Sequence, residues 1–352
     1  MLSCRIRGRA VLSLVPIAGL LLAACAGSPT GLQSEQHPTT TSTAVKPSPA
    51  AGVSPETTIP TTVSCPAVSG YVPLPGGRTM LLRAPATNQL RAAVIMLHGY
   101  TATPTGEEEV TGWTSLMAGT DVAVAYPEGS PTPSGGYGWS TGAAKDATTG
   151  TDDVADVVNV ISQLEEQDCV DPSQVMVAGE SNGSGLGLIT ACDPRSHGRV
   201  ALYALAIPAV DSNVMSRCEG AEPFPLLVIA SYLDQTVPYN GSAPPGEPPF
   251  TAPLVWFEEI AQTVDGCSGL RSSAVPDGTH YFYGHCAVPA NFYVAADGHH
   301  TWPGGPIGAG GLSPGVFPAA DLAWCASGLV GAPPPVDNCA SVITTYGYQS
   351  GT

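Results

Sequence analysis

Short apolar runs alternate with helix-like segments from residue 65 to residue 352, and this alternation restricts the possible folds more than any other feature. Strands buried on both faces are continuously apolar, and parallel strands need long crossovers, usually helices. The pattern predicts an α/β fold with one domain over residues 65–352, in which helices cover both faces of a mainly parallel sheet. The predicted strands are residues 93–97, 121–126, 174–178, 200–207, 226–231, 280–283 and 292–295, and the predicted helices are residues 106–117, 152–167 (capped by Thr151), 182–192, 254–264 and 319–329.

A serine lies in the sequence Gly-Glu-Ser-Asn-Gly, residues 179–183, directly after the predicted strand 174–178. This is a G-x-S-x-G pattern, in which the serine occupies a sharp strand-to-helix turn that exposes its hydroxyl above the sheet. In a chain with 41 glycines the pattern can also arise as an ordinary turn. Its position between an apolar strand and a small-residue helix favours Ser181 as a nucleophile.

A serine nucleophile needs an imidazole base, which in turn is oriented by a carboxylate. The loop after the predicted strand 292–295 contains two adjacent histidines, of which we favour His300 as the base, with His299 as the alternative. Asp234 follows the predicted strand 226–231 and is the candidate carboxylate. All three residues follow strand ends, where the chemistry of such sheets is located. The order Ser181, Asp234, His300 is the order found in α/β-hydrolases.

Acyl transfer also needs two backbone N–H donors for the negative charge that develops on the substrate oxygen. We expect one from Asn182, the residue after the nucleophile, and one from Tyr100, with a plain turn at Gly99 as the alternative. Trp139 and Trp302, together with Tyr100, are candidates to line the substrate groove, and buried aromatic packing is the alternative for each. No metal or organic cofactor is required.

The chain resembles the secreted poly(3-hydroxybutyrate) depolymerase and feruloyl esterase-like group of α/β-hydrolases. The resemblance implies ester hydrolysis through an acyl-enzyme, with Ser181 as nucleophile, Asp234 as acid and His300 as base. It rests on the motifs LHGY (97–100), YPEG (126–129), GWS (138–140), DDV (152–154), GESNG (179–183), Asp234 with VPY (237–239) and HTWPG (300–304).

The sequence departs from that group at two places. Residues 230–231 are Ala-Ser where the group often has His-Gly, and residue 299 is His where it has Gly. We expect the first difference to alter the wall of the site and the second to affect the orientation or the pKa of the base.

Residues 1–24 have the pattern of a secretory signal peptide, with three arginines before a short apolar run. The ending LAAC (22–25) resembles the lipobox of bacterial lipoproteins, which implies acylation of Cys25 and a lipid anchor on the outer face of the membrane. Cleavage elsewhere, with Cys25 incidental, is the alternative. Residues 25–64 are dominated by Ser, Thr and Pro and are expected to form a disordered stalk.

The charge balance excludes several partners. The chain has 12 Lys and Arg against 29 Asp and Glu, a formal net charge of −17. Nucleic-acid binding depends on basic residues that neutralise phosphates, and anionic membrane surfaces repel an acidic protein. We therefore expect no nucleic-acid partner, and we expect attachment to the membrane through the N-terminal lipid only. We also expect a monomer that acts on a small or oligomeric ester.

The remaining cysteines predict disulfides. Without Cys4 and Cys25 there are eight, and no C-x-x-C spacing indicates zinc or redox catalysis. Adjacent histidines in a short loop rarely bind one ion, which disfavours a metal at Asp297, His299 and His300. Sequence proximity and predicted placement favour the pairs Cys65–Cys169, Cys192–Cys218, Cys267–Cys286 and Cys325–Cys339.

Three functional classes follow from these features. The leading interpretation is an extracytoplasmic serine carboxylic ester hydrolase. The first alternative is an acyltransferase that uses the same triad to pass an acyl group to a cell-envelope sugar. The second alternative is a cell-surface binding protein that retains the fold without catalysis.

Overall fold

A computed structural model of the chain describes residues 64–142, 151–243 and 249–351. The described residues belong to one unit of the chain, Pro60–Thr352. The expected signal peptide, the lipidation site Cys25 and all of the stalk except Ser64 lie outside the described residues. Within the part of the chain that is described, no helix combines the length and the apolar character needed to cross a membrane.

The described residues form a ten-stranded sheet and a separate two-stranded ribbon. The sheet contains β1 (Val68–Pro73), β2 (Thr79–Ala84), β3 (Arg91–Leu97), β4 (Ala123–Pro127), β7 (Val170–Glu180), β8 (Leu202–Ala206), β9 (Leu226–Ser231), β10 (Ser268–Val275), β11 (Gly278–His285) and β12 (Ala290–Ala295), and the ribbon contains β5 (Ser130–Pro131) and β6 (Tyr137–Gly138).

The strands of the sheet lie in the order β1-β2-β4-β3-β7-β8-β9-β12-β11-β10. The six strands from β4 to β12 in that order are parallel, and two antiparallel strands are added at each edge. The mainly parallel sheet predicted from the sequence is therefore confirmed.

Helices cover both faces of this sheet, as the continuous apolar strands predict. Ile95 and Leu97 of β3 pack into one hydrophobic core, and Val94 and Met96 pack into the other, because successive side chains of a strand point to opposite faces. The helices in the described residues are α1 (Pro104–Thr111), α2 (Trp113–Leu116), α3 (Asp153–Gln167), α4 (Asn182–Cys192), α5 (Ser212–Met215), α6 (Pro253–Thr263), α7 (Ala319–Ser327) and α8 (Cys339–Tyr346). α3, α4 and α6 contribute to the first core, and α2, α7 and α8 contribute to the second.

The predicted helix 106–117 is two helices in the structure. Gly112 ends α1 in the left-handed conformation, with φ 71°, and begins α2. A Cβ at Gly112 would lie 2.9 Å from Cδ of Pro306, so the close approach of that residue also requires glycine. The cap of α3 also differs from the prediction, because Asp152 and not Thr151 accepts the Ala155 amide, at 3.1 Å.

Four disulfide bonds join the described cysteines. Cys65–Cys169 links the beginning of the described chain to the start of β7, and Cys192–Cys218 links the end of α4 to the segment after α5. Cys267–Cys286 joins the open ends of the β10–β11 hairpin, and Cys325–Cys339 joins α7 to α8. These are the pairings that sequence proximity favours. Disulfide bonds form and persist mainly in oxidising compartments.

Candidate active site

Ser181 lies in the turn between β7 and α4, with φ 52° and ψ −114°. Positive φ is uncommon for a residue other than glycine. The turn is tight on both sides of the serine, because a Cβ on Gly179 would lie 2.6 Å from the Gly183 carbonyl oxygen and one on Gly183 would lie 2.1 Å from the Leu97 carbonyl oxygen. Both glycines of the motif are therefore required, and the predicted sharp strand-to-helix turn is present.

The structure brings the three predicted triad residues together. The Ser181 Oγ atom is 2.8 Å from His300 Nε2, and His300 Nδ1 is 2.7 Å from Asp234 Oδ2. Ser181 follows β7, Asp234 follows β9 and His300 follows β12, and these strands lie side by side in the order β7-β8-β9-β12. The parallel arrangement thus places three residues that are distant in sequence at one edge of the sheet.

Backbone donors hold the Asp234 carboxylate in one orientation. Its Oδ1 atom accepts hydrogen bonds from the amides of Thr236 and Val237, at 2.9 Å each, while Oδ2 faces His300. The residue is 5% exposed. Both carboxylate oxygens are therefore engaged, and the side chain cannot rotate without losing hydrogen bonds.

The two sequence departures lie where the acid loop meets the base loop. Ser231, at the end of β9, places its Oγ atom 2.6 Å from the Gly298 carbonyl oxygen. His299, the alternative base, places Nδ1 3.2 Å from the Leu233 carbonyl oxygen and so lies away from Ser181. Both residues connect the loop that carries Asp234 to the loop that carries His300.

The three side chains weighed as a metal cluster, Asp297, His299 and His300, have separate partners. Asp297 accepts a hydrogen bond from the Val316 amide at 3.3 Å, whereas His299 faces Leu233 and His300 faces Asp234. Among the described residues, no group of three or more His, Cys, Asp or Glu side chains is placed to hold a metal ion.

The loop after β3 lies against Ser181. A Cβ on Gly99 would lie 3.7 Å from the Ser181 Cβ atom. His98 fixes this loop from beneath, with Nδ1 2.8 Å from the Gly99 carbonyl oxygen and Nε2 accepting the Gly129 amide at 3.1 Å. Burial lowers the pKa of His98 to about 4, so its imidazole is neutral and can donate at one nitrogen and accept at the other.

The two backbone amides expected to stabilise an oxyanion belong to the residues that follow Ser181 and Gly99 in sequence. Asn182 is the first residue of α4, where backbone N–H groups have no acceptor within the helix. Tyr100 follows Gly99 and lines the same cavity as Ser181. The Asn182 side chain holds the turn in place, because its Oδ1 accepts the Trp139 amide at 2.7 Å and its Nδ2 donates to the Trp139 carbonyl oxygen at 3.2 Å.

The two tryptophans proposed for the substrate groove do not line it. Trp139 is 0% exposed and Trp302 is 1% exposed. Trp139 packs on His98, with ring centroids 4.6 Å apart, and its indole N–H donates to the His98 carbonyl oxygen at 2.8 Å. Trp302 packs edge-on against Trp113. The groove interpretation is therefore wrong for both, because each ring is enclosed by the core that supports the catalytic loops.

A cavity of about 460 Å³ opens at Ser181. Ser181 and His300 form part of its wall, and the segment from Gly99 to Thr103 forms another part. Two buried carboxyl groups, Glu107 and Glu180, also line it, and sequence reasoning missed both. Glu180 occupies the first variable position of the serine motif, and Glu107 lies in the first turn of α1.

Comparison with known proteins agrees with this architecture. Residues 109–207 match the profile of the prolyl oligopeptidase family. Feruloyl esterase B from Piromyces equi is 28% identical over 195 residues, which are 51% of this chain and 35% of the relative. Feruloyl esterase C from Emericella nidulans is 27% identical over 169 residues, which are 47% of this chain and 55% of the relative.

Among solved structures, an acetyl xylan esterase from Aspergillus awamori aligns with a TM-score of 0.47 and 16% identity, over 68% of this chain and 94% of the other. The chain spans about half or less of the length of the curated feruloyl esterases it matches. The sheet order and the serine turn are those of the α/β-hydrolase fold, and feruloyl esterases are among the proteins to which the chain is similar in sequence.

Proposed function

We propose that this chain is a serine carboxylic ester hydrolase that acts through an acyl-enzyme. The observation that carries the proposal is the unbroken hydrogen-bonded series Ser181–His300–Asp234, at 2.8 and 2.7 Å, with the serine at the edge of a cavity. The similarity to feruloyl esterases supports an ester as the substrate class.

In the acylation step, the Ser181 oxygen attacks the ester carbonyl carbon while His300 Nε2 takes the hydroxyl proton. Asp234 accepts from Nδ1–H and stabilises the imidazolium that forms. The tetrahedral intermediate collapses when His300 gives its proton to the leaving alcohol oxygen, and the acyl group stays on Ser181.

In the deacylation step, water enters the same cavity and attacks the acyl carbon, while His300 again acts as general base. The backbone amides of Asn182 and Tyr100 donate to the oxyanion in both steps. When the second tetrahedral intermediate collapses, His300 returns the proton to the Ser181 oxygen and the carboxylic acid is released. The proposed cycle requires no metal or organic cofactor.

The substrates we propose are neutral esters of small or oligomeric alcohols. The volume of about 460 Å³ beside Ser181 matches the range of small-molecule pockets. The names of the relatives point to feruloyl and related acyl groups. A panel of acetyl, butyryl, 3-hydroxybutyryl and feruloyl esters identifies the preferred acyl group through its kcat/KM.

The direct test is hydrolysis of p-nitrophenyl acetate by the purified wild-type chain and by Ser181→Ala. We expect an initial burst of p-nitrophenol equal to the enzyme concentration, and mass spectrometry of the quenched burst should show one acyl group on Ser181. Ser181→Ala should lose about 10⁴-fold or more in kcat. Equal rates for the two proteins would contradict the proposal, and acyl transfer to an added sugar in preference to water would favour the transferase.

We further propose that the protein is exported and held at the membrane by lipid on Cys25. The signal-like segment 1–24, the LAAC ending and the four disulfides support this location. In a bacterial host the wild-type chain should label with radioactive palmitate and fractionate with membranes. Cys25→Ala should lose the label, and continued labelling of that variant would contradict the assignment.

A further inference from the structure

Two buried carboxyl groups beside the triad have no part in the mechanism above. Glu180 is 4% exposed and Glu107 is 2% exposed, and both line the cavity at Ser181. Glu180 Oε2 and Glu107 Oε1 have no hydrogen-bond partner among the described residues. A buried polar atom without a partner is costly, and one in a native site calls for a physical explanation.

The other feature these carboxyl groups share is a nearby backbone amide of a catalytic loop. Glu180 lies within hydrogen-bonding reach of the Trp302 amide, two residues after His300. Glu107 lies within reach of the Gly99 amide, directly before Tyr100. Gly99 also approaches Glu180, because a Cβ there would lie 3.9 Å from the Glu180 Oε1 atom. The serine turn, the base loop and the oxyanion loop therefore converge on two side chains.

The electrostatic surroundings of the pair explain how both carboxyl groups can be buried. Burial, the largest cause, raises the pKa of Glu180 to about 7, while attraction to His300 lowers it and repulsion from Asp234 raises it. Burial and then repulsion from Glu180 raise the pKa of Glu107 well above its usual value. Both carboxyl groups are thus harder to ionise than an exposed glutamate.

We propose that Glu180 and Glu107 are positioning residues of the active site, in which Glu180 fixes the His300 loop to the serine turn and Glu107 fixes the oxyanion loop at Gly99. The inference rests on the proposed ester hydrolysis. Both attachment points are backbone N–H groups, so the essential contribution of each side chain is an acceptor oxygen. Glutamine keeps a carbonyl oxygen at that position, and alanine removes it.

The test compares Glu180→Ala, Glu180→Gln, Glu107→Ala and Glu107→Gln in the hydrolysis of p-nitrophenyl acetate. We expect each alanine variant to lower kcat about 10- to 100-fold with little change in KM, because a misplaced catalytic group slows the chemical step more than binding. We expect each glutamine variant to keep kcat within about threefold. Glu180→Gln should also remove one titration near pH 7 from the pH profile of kcat.

Asp265 provides a matched control for lost stability. Its side chain is also fully buried, with one oxygen accepting the Phe224 amide at 3.1 Å and the other without a partner among the described residues. Asp265→Ala should lower the melting temperature without lowering kcat. The proposal is overturned if Glu180→Ala and Glu107→Ala keep wild-type kcat, or if Asp265→Ala lowers kcat as much as they do.

Amide hydrogen exchange separates this inference from the proposed function, because it requires no activity. Exchange at Trp302 should be at least about tenfold faster in Glu180→Ala, and exchange at Gly99 should be faster in Glu107→Ala, since each amide loses its acceptor. The glutamine variants should exchange as the wild type does. A wild-type protein without esterase activity would remove the proposed function, and unchanged exchange in the alanine variants would remove the positioning role.

Discussion

The Ser231 hydroxyl donates a 2.6 Å hydrogen bond to the Gly298 carbonyl oxygen and so joins the end of β9 to the loop that carries His300. β9 is also the strand that leads into Asp234. One side chain therefore connects the loop that carries Asp234 to the loop that carries His300.

Ser231→Ala should lower kcat about tenfold, because the base loop loses one of its attachments to the acid loop. The loss of one buried hydrogen bond should also lower the free energy of unfolding by about 1 kcal/mol. Steady-state kinetics and urea denaturation measure the two effects. Ser216→Ala is the control for activity, because it removes a 2.8 Å bond to a backbone carbonyl at an exposed position outside the site. Equal kcat for both variants would show that Ser231 is only structural.

Asn182→Ala should destabilise the protein by about 2–3 kcal/mol, because the buried side chain makes hydrogen bonds to the Trp139 amide and carbonyl group and to the Thr141 hydroxyl. Its loss leaves buried backbone groups without partners. The midpoint of urea unfolding measures the effect. Asn213→Ala, at an exposed position, should change the midpoint much less. Similar shifts for the two variants would show that the hydrogen bonds of Asn182 do not hold the turn in place.

Asp265→Asn should change the pH dependence of stability. Burial raises the pKa of Asp265 to about 7. The folded state therefore holds a proton that the unfolded state releases near pH 4, so the wild type loses stability as the pH rises from about 4 to 7. Asparagine does not titrate, and the variant should gain roughly 4 kcal/mol relative to the wild type across that interval. Denaturation at pH 4.5 and 7.5 measures the difference. If the free energy of unfolding changes equally with pH in the wild type and the variant, Asp265 does not titrate in this interval.

The disulfides should differ in their contributions to stability. Cys65–Cys169 closes 104 residues, and Cys325–Cys339 closes 14. Constraint of the unfolded chain predicts a loss of about 4–5 kcal/mol for the double serine variant of the first pair and about 3 kcal/mol for the second. Thermal unfolding of the two variants ranks them. The reverse order would show that native contacts outweigh loop entropy here.

The parallel centre of the sheet was predictable from sequence because its strands are buried on both faces and so are continuously apolar. The outermost strands, β1 and β10, were missed for the opposite reason, since β10 is exposed along almost its whole length and β1 alternates between exposed and partly buried residues. Neither contains the apolar run on which the prediction relied.

The placement of Ser181, Asp234 and His300 could be predicted because each follows a recognisable strand in a fold that brings strand ends together. The tryptophans could not be placed in the same way, because an aromatic residue beside a catalytic motif is equally compatible with a groove or a core. Glu180 carried a usable signal, namely a carboxylate between an apolar strand and the nucleophile. Its partner Glu107 becomes recognisable only when α1 is folded against the serine turn.

The conformation of Ser181 has a consequence for the evolution of this chain. A non-glycine residue held at φ 52° costs on the order of 1–3 kcal/mol, and the strain persists because the sheet and α4 fix the turn. Glycine would relieve that strain, yet it would remove the proposed nucleophile. Selection for greater thermal stability alone would therefore favour loss of the serine, and the proposed chemistry supplies the reason to retain it.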